Sequence, residues 1–273
     1  MSVSGKVVVI TGSTRGIGRA VAEECARRSA TVVISSRTAE AVERTCTELR
    51  AAGSSVSGIA ADAGCFADVV ALRDHALATY GRIDVWFGNA GLSNGYRYLD
   101  DESDQELRDL INVNVLGQLY AAKTVIPLFR EHGGYFMAMC GRGWKGAATP
   151  YTTAYAASKV AVASLTRSLA AENKRHKNVS INGFVPGMVD TDFYREDIPT
   201  SERLESTKGN IRLALDAFGV PIDEVGRRAA DLLGEEPGAT TGRIYALLTP
   251  GRMLRGGLKM AYWGMTGKMR RQP

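Results

Sequence analysis

The chain has 273 residues, 45% hydrophobic and 23% charged, a balance that suits one folded domain and excludes a disordered or fibrous protein. No apolar run reaches the roughly 18 residues that span a bilayer, and Met1-Ser2-Val3-Ser4-Gly5-Lys6 leads straight into a strand, so an intracellular, cytoplasmic location is expected. The net charge is +5, but residues 237–273 hold seven basic side chains and no acidic one, leaving −2 on the first 236 residues; with the excess confined to one end and no nucleic-acid motif, nucleic-acid binding is not expected.

Taken in chain order, valine- and isoleucine-rich runs at 6–10, 31–35, 55–60 and 83–88 alternate with helical patterns such as 17–28 and 39–52. This is the βαβ rhythm of a parallel sheet covered on both faces. Runs at 135–140, 180–185 and 244–248 bring the strand count to seven, with long helices predicted over 104–131 and 152–174. The fold class is therefore α/β: a doubly wound, seven-stranded parallel Rossmann sheet with helices on both faces. One domain is expected over 1–250, with a basic extension over 251–273. Residues 192–217 are longer than a helix-to-strand connection needs, and inserts of this kind often act as lids. Cys25, Cys46, Cys65 and Cys140 are too far apart for CxxC pairs and read as reduced thiols. His75, His132 and His176 have no metal-ligand spacing, so no metal is expected.

The first strand runs into Thr11-Gly12-Ser13-Thr14-Arg15-Gly16-Ile17-Gly18. Gly12, Gly16 and Gly18 permit a sharp turn, close approach to a pyrophosphate and tight helix packing. The helix start then offers N–H groups and a positive dipole end to phosphate. The second strand ends Ser35-Ser36-Arg37-Thr38, with Ser36 where an NAD-selective enzyme usually places a carboxylate. Arg37 and Arg15 can clamp a 2′-phosphate there, so NADP(H) is expected over NAD(H). Further along, Tyr155 and Lys159 lie four apart on a predicted helix and share a face. The cation favours the phenolate, giving a tyrosine able to exchange a proton with an alcohol oxygen near neutral pH.

Together Thr11-Gly12-x-x-x-Gly16-Ile17-Gly18, Asp62, Asn89-Ala90-Gly91, Asn114, Tyr155-x-x-x-Lys159 and Pro186-Gly187-x-Val189-x-Thr191 form an ordered pattern. The pattern resembles the single-domain branch of the short-chain dehydrogenase/reductase family, from about residue 5 to residue 248. The resemblance implies a seven-stranded Rossmann sheet and alcohol–ketone interconversion with a nicotinamide cofactor. It also implies roles: Tyr155 as general acid or base, Lys159 lowering its pKa and binding the nicotinamide ribose, and Asn114 holding a relay water. Asp62 would contact adenine, Asn89, Ala90 and Gly91 would line the cofactor channel, and Val189 with Thr191 would hold the carboxamide.

One element of that pattern is missing. The family usually carries a serine about thirteen residues before the tyrosine, and no serine lies between Gly133 and Tyr155. Counting back lands on Arg142, whereas aligning the strand puts Cys140 in the serine's place. Cys140, Arg142 or a threonine (Thr149, Thr152 or Thr153) can substitute, or the chain has kept cofactor binding and lost carbonyl reduction; a working enzyme ranks first. In the loop 141–146, Trp144 can stack on an aromatic substrate or merely anchor an exposed turn. In the extension, basic residues interleave with Met253, Leu254, Leu258, Met260, Tyr262, Trp263 and Met265. Its glycines weaken a long amphipathic helix. Packing on its own or a neighbouring subunit near the active site is preferred to membrane contact. The reading that emerges is an NADP(H)-dependent oxidoreductase of a hydrophobic or aromatic carbonyl or secondary alcohol, assembled as a homodimer or homotetramer. The competing reading is a catalytically weak NADP-binding scaffold or sensor.

Overall fold

The computed structural model describes residues 2–191, 200–202, 204 and 208–266. Seven strands, β1 (Val7–Ile10), β2 (Thr31–Ser36), β3 (Val56–Ala60), β4 (Val85–Gly88), β5 (Gly134–Met139), β6 (Val179–Val185) and β7 (Ile244–Ala246), pair in the order β3-β2-β1-β4-β5-β6-β7. Every pairing is parallel. The chain leaves β1 toward one edge and returns at β4 toward the other, so the β1/β4 junction is the switch point at which α/β sheets bind ligands.

Strands such as Val-Val-Val-Ile in β1 and Val-Trp-Phe-Gly in β4 are buried along their whole length, because helices cover both faces. Alternation then sorts the side chains. Val8 and Ile10 enter one core layer with Val21 of α1 (Gly16–Arg27), Val42 of α2 (Ala39–Ala51) and Val225 of α8 (Ile222–Leu233). Val7 and Val9 enter the other with Leu72 of α3 (Phe66–Tyr80), Phe129 of α5 (Gly117–His132) and Val162 of α6 (Thr153–Glu172).

The helix predicted over 104–131 is interrupted. It consists of α4 (Asp104–Ile111), a π-helical turn over Asn112–Leu116, and α5. A widened turn of this kind often marks a functional site, and it holds Asn114. The start of α4 is a capping box in which the Ser103 hydroxyl accepts from Glu106 N while the Glu106 carboxylate accepts from Ser103 N. The expected lid over 192–217 lies partly outside the described residues; its later part belongs to the helix α7 (Lys208–Phe218).

The extension forms a helix despite its glycines: α9 (Pro250–Met265). Thr249 caps it by accepting from Arg252 N, and Pro250 fits the first turn because its missing N–H costs nothing there. Gly256 is needed for close approach to α7, since a Cβ there would lie 2.2 Å from the Phe218 ring. Arg252 donates to both oxygens of Glu224 at 2.7 and 2.9 Å, Lys259 donates to Asp216 O at 2.6 Å, and Trp263 is buried. Tertiary packing outweighs the weak intrinsic helix propensity.

Candidate active site

A cleft of about 1630 Å³ opens across the C-terminal ends of β1, β4, β5 and β6. Its lining includes every residue expected to bind cofactor: Gly12, Thr14, Arg15, Gly16, Ile17, Gly18, Ser36, Arg37, Asp62, Asn89, Ala90, Gly91, Tyr155, Lys159, Pro186, Gly187, Val189 and Thr191.

At one end the first turn is held from behind. Asn89 Nδ2 donates to Thr11 O and Gly12 O at 2.9 Å each, while Ala90 N donates to Thr11 Oγ1 at 3.0 Å. Gly12 sits at φ +63°. At Gly18 a Cβ would lie 2.2 Å from Gly12 O and 2.4 Å from Asn89 Nδ2, so no other residue fits without moving backbone. The turn leads into α1, whose first turn holds no acidic residue and whose N–H groups face the cleft, a cradle suited to a pyrophosphate. Beside it lie Ser36, Arg37, Arg15 and Arg44. Arg44, one helical turn into α2, escaped the sequence reading because its sequence position carries no motif; only the packing of α2 on β2 brings it to the cleft. Among the described residues, Asp62 is the only carboxylate in the lining. Its Oδ1 accepts from Gly64 N at 2.8 Å.

At the other end Tyr155 and Lys159 project from the first turns of α6 into the cleft. The Lys159 ammonium lies 5.3 Å from the Tyr155 ring centroid and donates to Met139 O at 3.2 Å. Lys159 is fully buried, and desolvation pushes its pKa down to about 8, with the nearby Cys140 acting in the opposite direction. At neutral pH the ammonium still predominates. It is a buried cation beside a phenol, the arrangement that stabilises phenolate.

Asn114 does not line the cleft. Its amide is wholly engaged behind Gly91, with Oδ1 accepting from Leu92 N at 2.8 Å and Nδ2 donating to Leu92 O and Ser158 Oγ at 3.0 Å each. The side chain therefore braces the 91–92 backbone against α6.

Cys140 is among the residues that line the cleft. Its thiol is buried against Gly183 and near Thr166, in the layer between β6 and α6. Burial pushes its pKa up to about 11. The position that faces the tyrosine is Gly141, where a Cβ would lie 2.4 Å from Tyr155 Oη. Residues alternate sides at a strand end, so a shift of one residue in the alignment exchanges the inward position for the outward one. Of the other substitutes, Arg142 lines the cleft and donates to Tyr96 Oη at 3.4 Å. Thr149 also lines it, whereas the Thr152 hydroxyl is spent on Thr149 O at 3.1 Å and Thr153 is exposed outside it. Trp144 lines the cleft and has Arg167 and Lys145 over its ring at 5.5 and 5.2 Å.

The rest of the substrate end is mostly apolar, with Leu92, Tyr96, Val113, Met188, Ile211, Leu248 and Met253 beside Ser93 and Lys145. Tyr151, also in the wall, holds φ +65°, an uncommon conformation for a residue with a side chain. Its ring packs edge-on against Tyr98 at 5.2 Å.

Residues 6–202 match the short chain dehydrogenase family. The chlorophyll(ide) b reductase NOL of Oryza sativa subsp. japonica is 39% identical over 203 residues, which are 71% of this chain and 59% of that protein. The chain thus spans less than two thirds of that relative's length. The tetrahydroxynaphthalene reductase of Pyricularia oryzae is 28% identical over 90% of this chain and 89% of its own. Among solved structures, a 3-ketoacyl-(acyl-carrier-protein) reductase from Brucella melitensis complexed with NADH superposes with a TM-score of 0.77 at 26% identity, covering 90% of this chain and 98% of that one. A blue fluorescent protein from a metagenomic library, in complex with NADPH, gives 0.76 at 26% identity over the same shares. The chain belongs to the short-chain dehydrogenase family of oxidoreductases.

Proposed function

We propose that the protein is an NADP(H)-dependent reductase of a hydrophobic or aromatic carbonyl compound, able to run in reverse on the secondary alcohol. The observation that carries this reading is the Tyr155/Lys159 pair at the apolar end of a cleft whose opposite end is fitted for a dinucleotide. The turn at Gly12–Gly18 suits a pyrophosphate, because glycine at residue 18 lets the start of α1 pack directly on Gly12 O and Asn89, where a Cβ would lie 2.2 and 2.4 Å away. Arg15, Arg37 and Arg44 favour a 2′-phosphate, and no carboxylate stands at Ser36 to repel it.

The bound nicotinamide would supply the hydride. Tyr155 would hold the substrate oxygen by its phenol and pass it a proton as reduction proceeds. Lys159, positively charged below pH about 8, would then stabilise the phenolate left behind. The apolar wall would exclude water and orient the substrate. Assembly into dimers or tetramers through the outward faces of α5 and α6 is supported by the exposed Leu119 and Val160.

Gly141 favours a second reading. With glycine at the position that faces Tyr155, a second donor to the substrate oxygen would have to come from Arg142 or Thr149, which suits a catalytically weak NADP-binding scaffold. Steady-state reduction of a panel of aromatic and polycyclic ketones separates the two readings. The reductase should turn over at least one of them with NADPH, with a KM at least tenfold below that for NADH, and Tyr155→Phe should lower kcat by about 10³. Tight NADPH binding without turnover across the panel would favour the scaffold.

A further inference from the structure

The helix α9 is apolar on the side that faces away from the protein. Its inward side carries Gly256 and Trp263 against α7. On the opposite side Leu254, Leu258, Tyr262 and Met265, spaced i, i+4, i+8 and i+11, form one stripe with 68, 63, 60 and 80% of their surface exposed. A surface helix normally turns charged residues outward, and side chains of this size left open in a row mark an interaction surface. The exposed cations Arg255 and Lys259 run along one edge of the stripe, and no acidic residue follows Glu236 in the sequence. The opposite edge carries Met253, which lines the substrate end of the cleft.

We propose that this face of α9 docks on an anionic lipid bilayer, lying in the interface with its aliphatic stripe among the acyl chains and its cations at the headgroups. Charge complementarity selects this occupant. An antiparallel two-fold contact through the same stripe would set the basic edge of one copy beside that of the other, Arg255 toward Lys259, whereas lipid phosphates answer both cations directly. The stripe is also a linear row on a convex helix, which suits a fluid surface. Docked in this way, α9 would set the substrate end of the cleft beside the bilayer, where apolar compounds concentrate. The docking stands on the helix alone and does not depend on the reductase reading.

Co-sedimentation of the full chain with vesicles of phosphatidylcholine mixed with phosphatidylglycerol tests it, with pure phosphatidylcholine as the comparison. The protein should partition onto the anionic vesicles, more weakly onto the neutral ones, and less on the anionic ones as salt is raised. The double substitution Leu254→Glu/Leu258→Glu should lower partitioning at least about tenfold while leaving the far-ultraviolet circular dichroism and NADPH affinity unchanged. Absence of binding to anionic vesicles would overturn the proposal, as would binding that the double variant retains. So would a double variant with a smaller mass by light scattering than the native chain, since the stripe would then be a contact between copies.

Discussion

The two ends of the cleft are built differently. At the cofactor end the shape is set by backbone: the first turn is tied by Asn89 and Thr11, and the glycine at residue 18 occupies a space that no side chain can enter. At the substrate end the shape is set by side chains on loops and late helices, including Tyr96, Tyr151, Ile211 and Met253. Main-chain geometry binds what all nicotinamide cofactors share, while loops carry what differs between substrates. Gly141 belongs to the second kind. It lies two residues past the end of β5, and a Cβ there would lie 2.4 Å from Tyr155 Oη.

Four substitutions, one of them followed across pH, probe this contrast. The largest effect is expected at the cofactor end. Gly18→Ala forces a methyl group against Gly12 O and Asn89 Nδ2, so stability should fall by about 3 kcal/mol. NADPH affinity should fall with it, as read by urea denaturation and fluorescence titration. Unchanged values would show that the turn is deformable and the contrast false.

Burial of Lys159 gives the next effect. Its folded pKa of about 8 lies below the ordinary 10.5, so between these values the unfolded chain binds more protons than the folded one. Stability rises with pH across that window, and the burial penalty is felt in full below pH 8. Relative to Lys159→Met, the cofactor-free protein should gain on the order of 2 kcal/mol between pH 7 and pH 10. A gap between the two proteins that does not change with pH would mean that the ammonium is hydrated.

The smallest effect on folding, confined to catalysis, is expected at Gly141. Gly141→Ala pushes on the Tyr155 hydroxyl, the free end of a side chain, so kcat should fall about tenfold with NADPH affinity and stability little changed. Cys140→Ser should leave kcat within about twofold. If the cysteine substitution proved the more damaging, the thiol and not the glycine would face the substrate.

Much of this was legible in the chain itself. The alternation of apolar runs with helical stretches gave a doubly wound sheet, and the spacing of Gly12, Gly16, Gly18, Asn89, Tyr155 and Lys159 gave one site, because these features depend on local geometry: a turn that needs glycine, a helix face that repeats every four residues. Where the reading stopped short, a one-residue step or a distant partner decided. Strand alternation buries the Cys140 thiol and turns Gly141 toward Tyr155, a difference that residue types cannot reveal. The π turn at Asn114 was invisible because its sequence reads as ordinary helix.

The sequence by itself determined the layered sheet, the glycine turn after β1 and the tyrosine–lysine pair on one helix face, since each follows from periodicity and from residues whose demands are local. Only the tertiary structure decided that Arg44 reaches the adenosine end, that Asn114 braces a loop, and that the glycine-rich tail is a helix with an apolar outer face. These depend on contacts between residues far apart in the chain, and packing on Phe218 and Glu224 overcame the helix-weakening glycines.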